Sequence, residues 1–373
     1  MRSLRERVIA RGRVNGLDAV GTCSAEPFLD ARHALEDRRE QGLHGGMAFT
    51  YRNPERSTDP SRTMPGARSL VVAARRYPSD VPNRAADPAA PRGRVARYAT
   101  EDHYAALREG LAAVALELTN AGFRAMVLAD DNSLVDRAAA HRAGLGWYGK
   151  SSNLLLPGRG SWFVLGSVLT DARLEPSGGP VEDGCGTCRR CLDGCPTGAI
   201  VAEGVVDAGR CLSWHLQVPG PFPREYRAAL GDRMYGCDEC QEVCPPNRRA
   251  DARGEGADPA PPPEPDRDVD VLRLLEAADD EVLATADRWY VPGRDPRHVR
   301  RNALVVLGNT ADGASPRVES VLRSHLRSED DLVCGHAAWA ALRLGRTDLL
   351  DEPDVAARAP VREELGAGTA ARA

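Results

Sequence analysis

Eight of the ten cysteines lie between residues 185 and 244, at spacings that select one kind of chemistry. The first run is Cys185-Gly-Thr-Cys188-Arg-Arg-Cys191-Leu-Asp-Gly-Cys195-Pro. Bacterial ferredoxins use this spacing to hold one [4Fe–4S] cubane on three thiolates while the fourth crosses to a second cluster. The second run, Cys237-Asp-Glu-Cys240-Gln-Glu-Val-Cys244-Pro, has three of its four cysteines. The missing one projects onto Met234, whose thioether is a poor substitute for a thiolate. Crossing the fourth ligands gives one set of Cys185, Cys188, Cys191 and Cys244. The other set, Cys195, Cys237 and Cys240, needs one more thiol, and Cys211 is the spare one nearby. A disulfide framework or zinc ribbons need other spacings, and neither accounts for the proline after Cys195 and again after Cys244. The triplet Cys-x₃-Cys-x₂-Cys of radical enzymes does not occur, so the clusters read as electron wires.

A second chemical signal is a lone amine. The chain has 49 basic residues, of which Lys150 is the single lysine. Where arginine replaces lysine throughout, a surviving ammonium points to a task that a planar guanidinium cannot do, with compositional accident as the alternative. Lys150 ends Gly144-Leu-Gly-Trp-Tyr-Gly149-Lys150-Ser151, which matches both a phosphate-binding loop and a dinucleotide fingerprint. Both of those need a strand before the loop and a helix after it. The order expected here is the reverse, so the stretch reads as a tight turn. Its glycines would let backbone approach a large flat ligand, with Lys150 reaching in.

The elements that must position these groups follow from periodicity and breakers. Helices are expected over 3–15 and Asp102–Asn120, and strands over Asp18–Ser24, Ser69–Arg75, Arg124–Ala129 and Trp162–Leu169. Alternating helices and strands predict an α/β or α+β layered domain over residues 1–178. Arg38–Arg68 reads as an ordered loop with a ligand face, and Pro78–Arg94 as an irregular excursion. The cluster module spans 179–247, a proline-rich linker 248–268, and a helical domain 269–360, with a frayed tail over 361–373. Asn302-Ala-Leu-Val-Val-Leu-Gly308 and Trp339-Ala-Ala-Leu-Arg-Leu-Gly345 recur at a 37-residue offset, near the period of HEAT-type helix pairs.

Asp130 and Asp131 follow the strand expected at 124–129, the end at which α/β domains place chemistry. A carboxyl facing an apolar ligand would have a raised pKa and could donate a proton near neutrality. The alternative is that the pair merely begins the next helix, although Ser133 with Asp136 already makes a capping-box-like start there. Arg294-Asp-Pro-Arg297-His-Val-Arg300-Arg301 is the densest basic cluster. Beside Trp289 and Tyr290 it suits phosphate contact and base stacking, or else is a solvated face. The net charge of −5 offers no global basic field, so any nucleic-acid contact must be local. No apolar run reaches membrane-spanning length, and Met1–Ala10 lacks a secretory core. A thiol-rich centre suits a reducing cytoplasm, while Cys23 and Cys334 sit in apolar contexts and read as inert buried thiols.

Across residues 1 to about 350 the chain resembles the cobalamin-dependent epoxyqueuosine reductases of tRNA modification. The resemblance is carried by Met47-Ala-Phe-Thr-Tyr-Arg-Asn-Pro-Glu-Arg56, Met64-Pro-Gly-Ala-Arg-Ser69, Asp130-Asp-Asn-Ser-Leu-Val-Asp-Arg137 and Ala143-Gly-Leu-Gly-Trp-Tyr-Gly-Lys150. Gly160-Ser-Trp-Phe-Val-Leu165, the eight cysteines and Arg300-Arg-Asn-Ala303 complete it. It implies an α+β multidomain fold: a nitroreductase-like corrinoid-binding α/β domain, a two-[4Fe–4S] ferredoxin-like module and C-terminal HEAT-like repeats. It implies reduction of epoxyqueuosine to queuosine at the wobble position, with cobalamin (cob(II)alamin at rest) and two [4Fe–4S] clusters as cofactors.

Residue by residue, the resemblance puts Asp130 at the proton-donor position. Arg56, Asp130, Leu154, Leu165, Ser213, Asp238 and Glu239, with Lys150, fall at cobalamin-contacting positions. Arg294 and Arg297 fall at tRNA-contacting ones, with Asp279 and Asp280 aligned loosely. The implied partners are the epoxyqueuosine-carrying tRNA and a small ferredoxin- or flavodoxin-type electron donor, for a cytoplasmic monomer that uses no membrane. Two departures stand out. Asp130-Asp-Asn-Ser replaces the family's Asp-Thr/Ser-Gly/Ala-Pro, which leaves Asp131 open as a second acid. Tyr98-Ala-Thr-Glu-Asp-His-Tyr104 is one residue shorter than the family's Tyr-Ala-x-Gly-x-Asp-Tyr-His. The competing reading is a corrinoid and iron–sulfur reductase of a small electrophile, like a reductive dehalogenase; an electron carrier or scaffold would leave Asp130 and Lys150 without purpose. Replacing Cys188 by Ala should remove one cluster and spare the other, so that iron per reconstituted chain falls by about half, whereas Cys23→Ala leaves it unchanged.

Overall fold

The computed structural model describes residues 2–77, 87–179, 181–253 and 268–370, with side chains to 367. The chain forms two compact units from discontinuous segments: Met1–Asp80, Glu101–Gly209 and Asp238–Pro261 in one, Val81–Thr100, Arg210–Cys237 and Pro262–Ala373 in the other. The stretch expected as the cluster module over 179–247 contributes to both.

The first unit is built on a four-stranded antiparallel sheet in the order Ala19–Ser24, Ser69–Arg76, Phe163–Thr170, Ala125–Ala129. Every residue of Leu70–Ala74 is fully buried, as expected of a central strand rich in Val and Ala that is covered on both faces. Helix His103–Asn120 lies against the sheet through Leu107, Leu111, Val114 and Leu118, one apolar stripe at helical spacing. Its N-cap is Asp102, whose carboxylate accepts from Ala105 N at 2.9 Å. Gly166 in strand Phe163–Thr170 admits this helix: a Cβ there would come within 2.7 Å of Leu111. The Arg38–Arg68 segment is more regular than its composition suggests. Helix Leu29–Glu40 precedes it, and three short helical turns follow at Ala48–Tyr51, Pro54–Ser57 and Pro60–Thr63, two of them opened by proline after an Asn or Asp cap.

The second unit is mainly helical. Helices Pro296–Thr310 and Asp331–Arg343 pack closely, and Gly308 allows it, since a Cβ there would meet the Trp339 ring at 2.7 Å. Three short strands, Arg92–Val95, Arg233–Tyr235 and Asp268–Asp270, make a small mixed sheet. The excursion expected at Pro78–Arg94 therefore ends in a strand; its partners lie far away in sequence, which is why local pattern misses it. Residues 78–86 of that excursion and 254–267 of the expected linker lie outside the described residues. The linker's first residues instead continue helix Pro245–Ala252, with Asn247 and Ala250 buried. Helix Ala359–Ala370 replaces most of the expected frayed tail, because Val361 is fully buried and Glu364 pairs with Arg227 at 2.8 Å. Residues 371–373 lie outside the described part.

One buried cation organises the start of this helical unit. Arg301 has no exposed surface and donates to the carbonyls of Val218 at 2.7 Å, Gly220 at 2.6 Å and His215 at 3.0 Å. Asn302 accepts from the same guanidinium at 2.8 Å and donates to Leu216 O at 3.0 Å. Burial pushes the Arg301 pKa down to about 10, so the group stays charged at neutral pH. Arg301→Met should leave these carbonyls unmatched and lower the unfolding free energy by about 3 kcal/mol or more, measurable by denaturant titration.

Candidate active site and cluster ligands

The acid loop begins where strand Ala125–Ala129 ends. Asp130 has φ of +55°, a left-handed backbone that Asp tolerates better than most residues, and it turns the chain out of the sheet. The Asp131 carboxylate accepts from Ser133 N at 2.8 Å and closes a local turn. Ser133 is not the helix cap it was expected to be. The helix starts later, at Asp136, after Val135, and the Ser133 hydroxyl accepts from Arg56 at 3.0 Å. Arg56 thereby ties the 47–56 loop to the acid loop.

Two titratable groups that sequence alone did not single out share this neighbourhood. Asp136, half-buried, has its carboxyl pushed from 3.8 up to about 8, by burial first and then by the negative charge of Asp130. Tyr104 is raised for the same reasons, burial first and then Asp130 and Asp136. With its carboxyl raised to about 8, Asp136 is mostly protonated at neutral pH. Only the fold brings Tyr104 and Asp130 together.

The turn at 144–151 is a β-hairpin: Trp147–Tyr148 pairs with Leu154–Leu155, and Gly149 N donates to Asn153 O at 2.8 Å. Helix Asp136–Arg142 precedes it, which excludes a phosphate-binding loop. Its glycines serve the hairpin rather than a ligand. A Cβ at Gly146 would lie 2.1 Å from Leu155 O, and one at Gly149 2.2 Å from the Leu155 side chain. The Lys150 Nζ lies 2.7 Å from Glu203 Oε1. Leu154 is packed into the core, while Leu165 keeps part of its surface open. Trp147 Nε1 and His44 Nδ1 are buried without a hydrogen-bond partner. Buried polar atoms without a partner are what a bound ligand with a polar periphery would satisfy.

All ten cysteines are free thiols. In the first unit Cys244 lies close enough to Cys185, Cys191 and Cys188 for their charges to add to burial, which together push its thiol up to about 11. Cys185 and Cys188 likewise add to the burial that raises Cys191. The charges of these four cysteines act on one another, and a cationic iron core would remove that repulsion. Cys195 and Cys240 also belong to this unit, and Cys195 Sγ accepts from Ala199 N at 3.2 Å. Cys211 and Cys237 belong to the second unit, at the start of helix Leu212–His215 and just after strand Arg233–Tyr235. Met234, at the vacant position of the cysteine pattern, is fully buried against Gly93 in that unit's core. Burial raises Cys334 and takes Cys23 up to about 12, which keeps both thiols protonated.

Ser213 lies on helix Leu212–His215, while Asp238 caps helix Glu239–Glu242 and Glu239 opens it. The basic run is less available than its density implies. Arg294 (φ +52°) donates to Ala286 O and Leu283 O, at 3.1 Å each, closing the preceding helix. Arg297 is held by Asp295 at 2.9 Å and Asp330 at 2.6 Å, Arg300 pairs with Asp279, and Arg301 is buried. Asp279 and Asp280 are exposed in the first turn of helix Asp279–Thr285, where the dipole favours acids. Trp289 is buried and stacked on Tyr235 (4.9 Å, 7°), which leaves Tyr290, 63% exposed, as the open aromatic.

The cysteine spacing and the mutual influence of Cys185, Cys188, Cys191 and Cys244 define an iron–sulfur protein. Residues 184–247 match the 4Fe-4S double cluster binding domain. An epoxyqueuosine reductase of Vibrio cholerae is 33% identical over 332 residues, covering 87% of this chain and 88% of the relative. A crystal structure of epoxyqueuosine reductase with an epoxyqueuosine-modified tRNA-Tyr stem loop superposes with a TM-score of 0.85 at 29% identity, covering 97% of this chain and 98% of that one. A Bacillus subtilis epoxyqueuosine reductase, with its catalytic aspartate loop swung out of the active site, gives 0.84 at 29% identity, covering the same shares. The chain belongs to the epoxyqueuosine reductase family. No helix among the described residues is long and apolar enough to cross a membrane.

Asp136→Asn tests the coupled pair. Because the folded pKa lies above the unfolded value, the folded state holds an extra proton between about 4 and about 8, and stability falls as pH rises through that window. The substitution should flatten this fall and leave acid-side stability unchanged, which unfolding curves taken from about pH 4 to about pH 9 would measure.

Proposed function

We propose that this chain reduces epoxyqueuosine in tRNA to queuosine, with two [4Fe–4S] clusters and cobalamin as redox groups and Asp130 as proton donor. The observation that carries the reading is the near-complete match to epoxyqueuosine reductases. The net change consumes two electrons and two protons, breaks both C–O bonds of the epoxide, forms a carbon–carbon double bond and releases the oxygen as water. When bound, the clusters and corrinoid supply low-potential electrons that no side chain here can provide. Asp130 gives a proton to the departing oxygen, and the coupled Asp136 replenishes it. The loop that carries Asp130 also moves, by analogy with the swung-out loop of the Bacillus subtilis relative.

Cys185, Cys188, Cys191 and Cys244 would hold one cluster, and Cys195, Cys211, Cys237 and Cys240 the other. Arg56, Leu154, Leu165, Ser213, Asp238 and Glu239, with Asp130, would contact the corrinoid. Arg294, Arg297, Asp279 and Asp280 would contribute to the tRNA face, where Arg297 must first exchange its carboxylate partners for phosphate. Residues 1–178 would be a nitroreductase-like corrinoid domain, 179–247 the two-cluster module and 269–360 HEAT-like pairs. A small ferredoxin- or flavodoxin-type protein would donate electrons to a cytoplasmic monomer.

Reduction of a small electrophile instead would use the same redox groups and leave the RNA-facing residues idle. Anaerobic protein reconstituted with iron, sulfide and cobalamin, given a strong reductant and epoxyqueuosine-containing tRNA, should yield queuosine in the nucleoside digest. Asp130→Asn should cut that rate by roughly 10²- to 10⁴-fold with cluster and corrinoid loading unchanged. Full loading with wild-type protein and a persisting epoxide would overturn the tRNA assignment.

A further inference from the structure

The single lysine has no role in the reaction just described, yet its surroundings are specific. Its side chain is 10% exposed, and its Nζ pairs at 2.7 Å with Glu203, which is itself 56% exposed. Glu203 sits at the tip of the hairpin formed by Ile200–Ala202 and Val205–Val206, directly after the Cys195-Pro turn. The next residue, Gly204, is held three ways. Its N donates to Lys150 O at 2.9 Å, and its carbonyl accepts from Ser152 Oγ at 2.7 Å and from Arg38 at 2.9 Å. Ser152 adopts φ of +64° to make this contact.

On its other side the 147–150 turn meets the first cysteine run. The Trp147 ring covers Gly184, where a Cβ would lie 2.7 Å from it, and Cys185 N donates to Asp183 Oδ1 at 2.9 Å. Lys150 thus lies near both Asp183 and Cys185, and after Glu203 these two add to the rise in its pKa.

We propose that Lys150 sets the reduction potential of the cluster held by Cys185, Cys188, Cys191 and Cys244, with Glu203 as the carboxylate that fixes the ammonium and offsets part of its charge. This rests on the cluster reading of those four cysteines. Reduction adds one electron to the cluster and breaks no bond, so a nearby fixed cation favours the reduced form and raises its potential. Most of the lysine side chain is covered, so its charge is held in place rather than swinging free in solvent. Asp183 and Glu203 are the carboxylates that oppose it.

The test is a redox titration of the reconstituted full-length chain followed by electron paramagnetic resonance. Lys150→Met should shift the midpoint potential of one cluster downward and leave the other in place. Glu203→Gln, which removes one of the two carboxylates opposing the lysine charge, should shift the same cluster upward. A purely structural clamp would be broken by either change, so shifts in one common direction, or none, would overturn the proposal. Glu203 is exposed enough that its substitution keeps the test open even if Lys150→Met fails to fold. Wild-type protein that takes up iron and sulfide but shows fewer than two reducible clusters would instead overturn the cluster reading itself.

Discussion

Thiolates must be gathered against their own repulsion, and much of the first unit serves that end. Cys185, Cys188 and Cys191 come from one turn, whereas Cys244 returns from more than fifty residues away. The return is fastened by Asn247, buried next to Cys244, which accepts from Ser161 N at 2.6 Å and donates to Gln241 O at 2.8 Å. Gly160 makes room for it, since any Cβ there would collide with the Asn247 side chain. The Gly160-Ser-Trp-Phe motif therefore reads as an anchor for the last cysteine as much as a strand entry.

Arginine carries much of the structural work in this chain. Arg142 lies 3.5 Å above the Phe28 ring and donates to Pro27 O at 3.0 Å; Arg301 and Arg227 are buried on carbonyls and on Glu364. A guanidinium presents several donors in a fixed plane, so it can close loop ends that have no regular partner. Basic density along the chain therefore does not count unpaired cations. Of the four arginines between 294 and 301, one is buried and three are already engaged by carbonyls or carboxylates.

Much of the fold was legible from local pattern. The helices near 3–15 and 102–120 and the four strands of the main sheet lie within a residue or two of their expected ends, because caps and apolar periodicity act over a few residues. Strand Arg92–Val95 and helix Ala359–Ala370 were not legible. Each is stabilised by distant partners: Met234 and the 233–235 strand for the first, Arg224 and Arg227 for the second.

What the sequence determined by itself was the chemistry that depends on spacing: eight cysteines in two runs, an acid after a strand, and one lysine among arginines. The tertiary structure decided which of these groups feel one another. It put Asp136 and Tyr104 beside Asp130, spent Asp131 on its own turn, and turned Lys150 to Glu203 near Cys185. Spacing along a chain governs which ligands can reach one centre. Burial and through-space charge govern pKa and potential, and they arise only when segments far apart in sequence exclude water together.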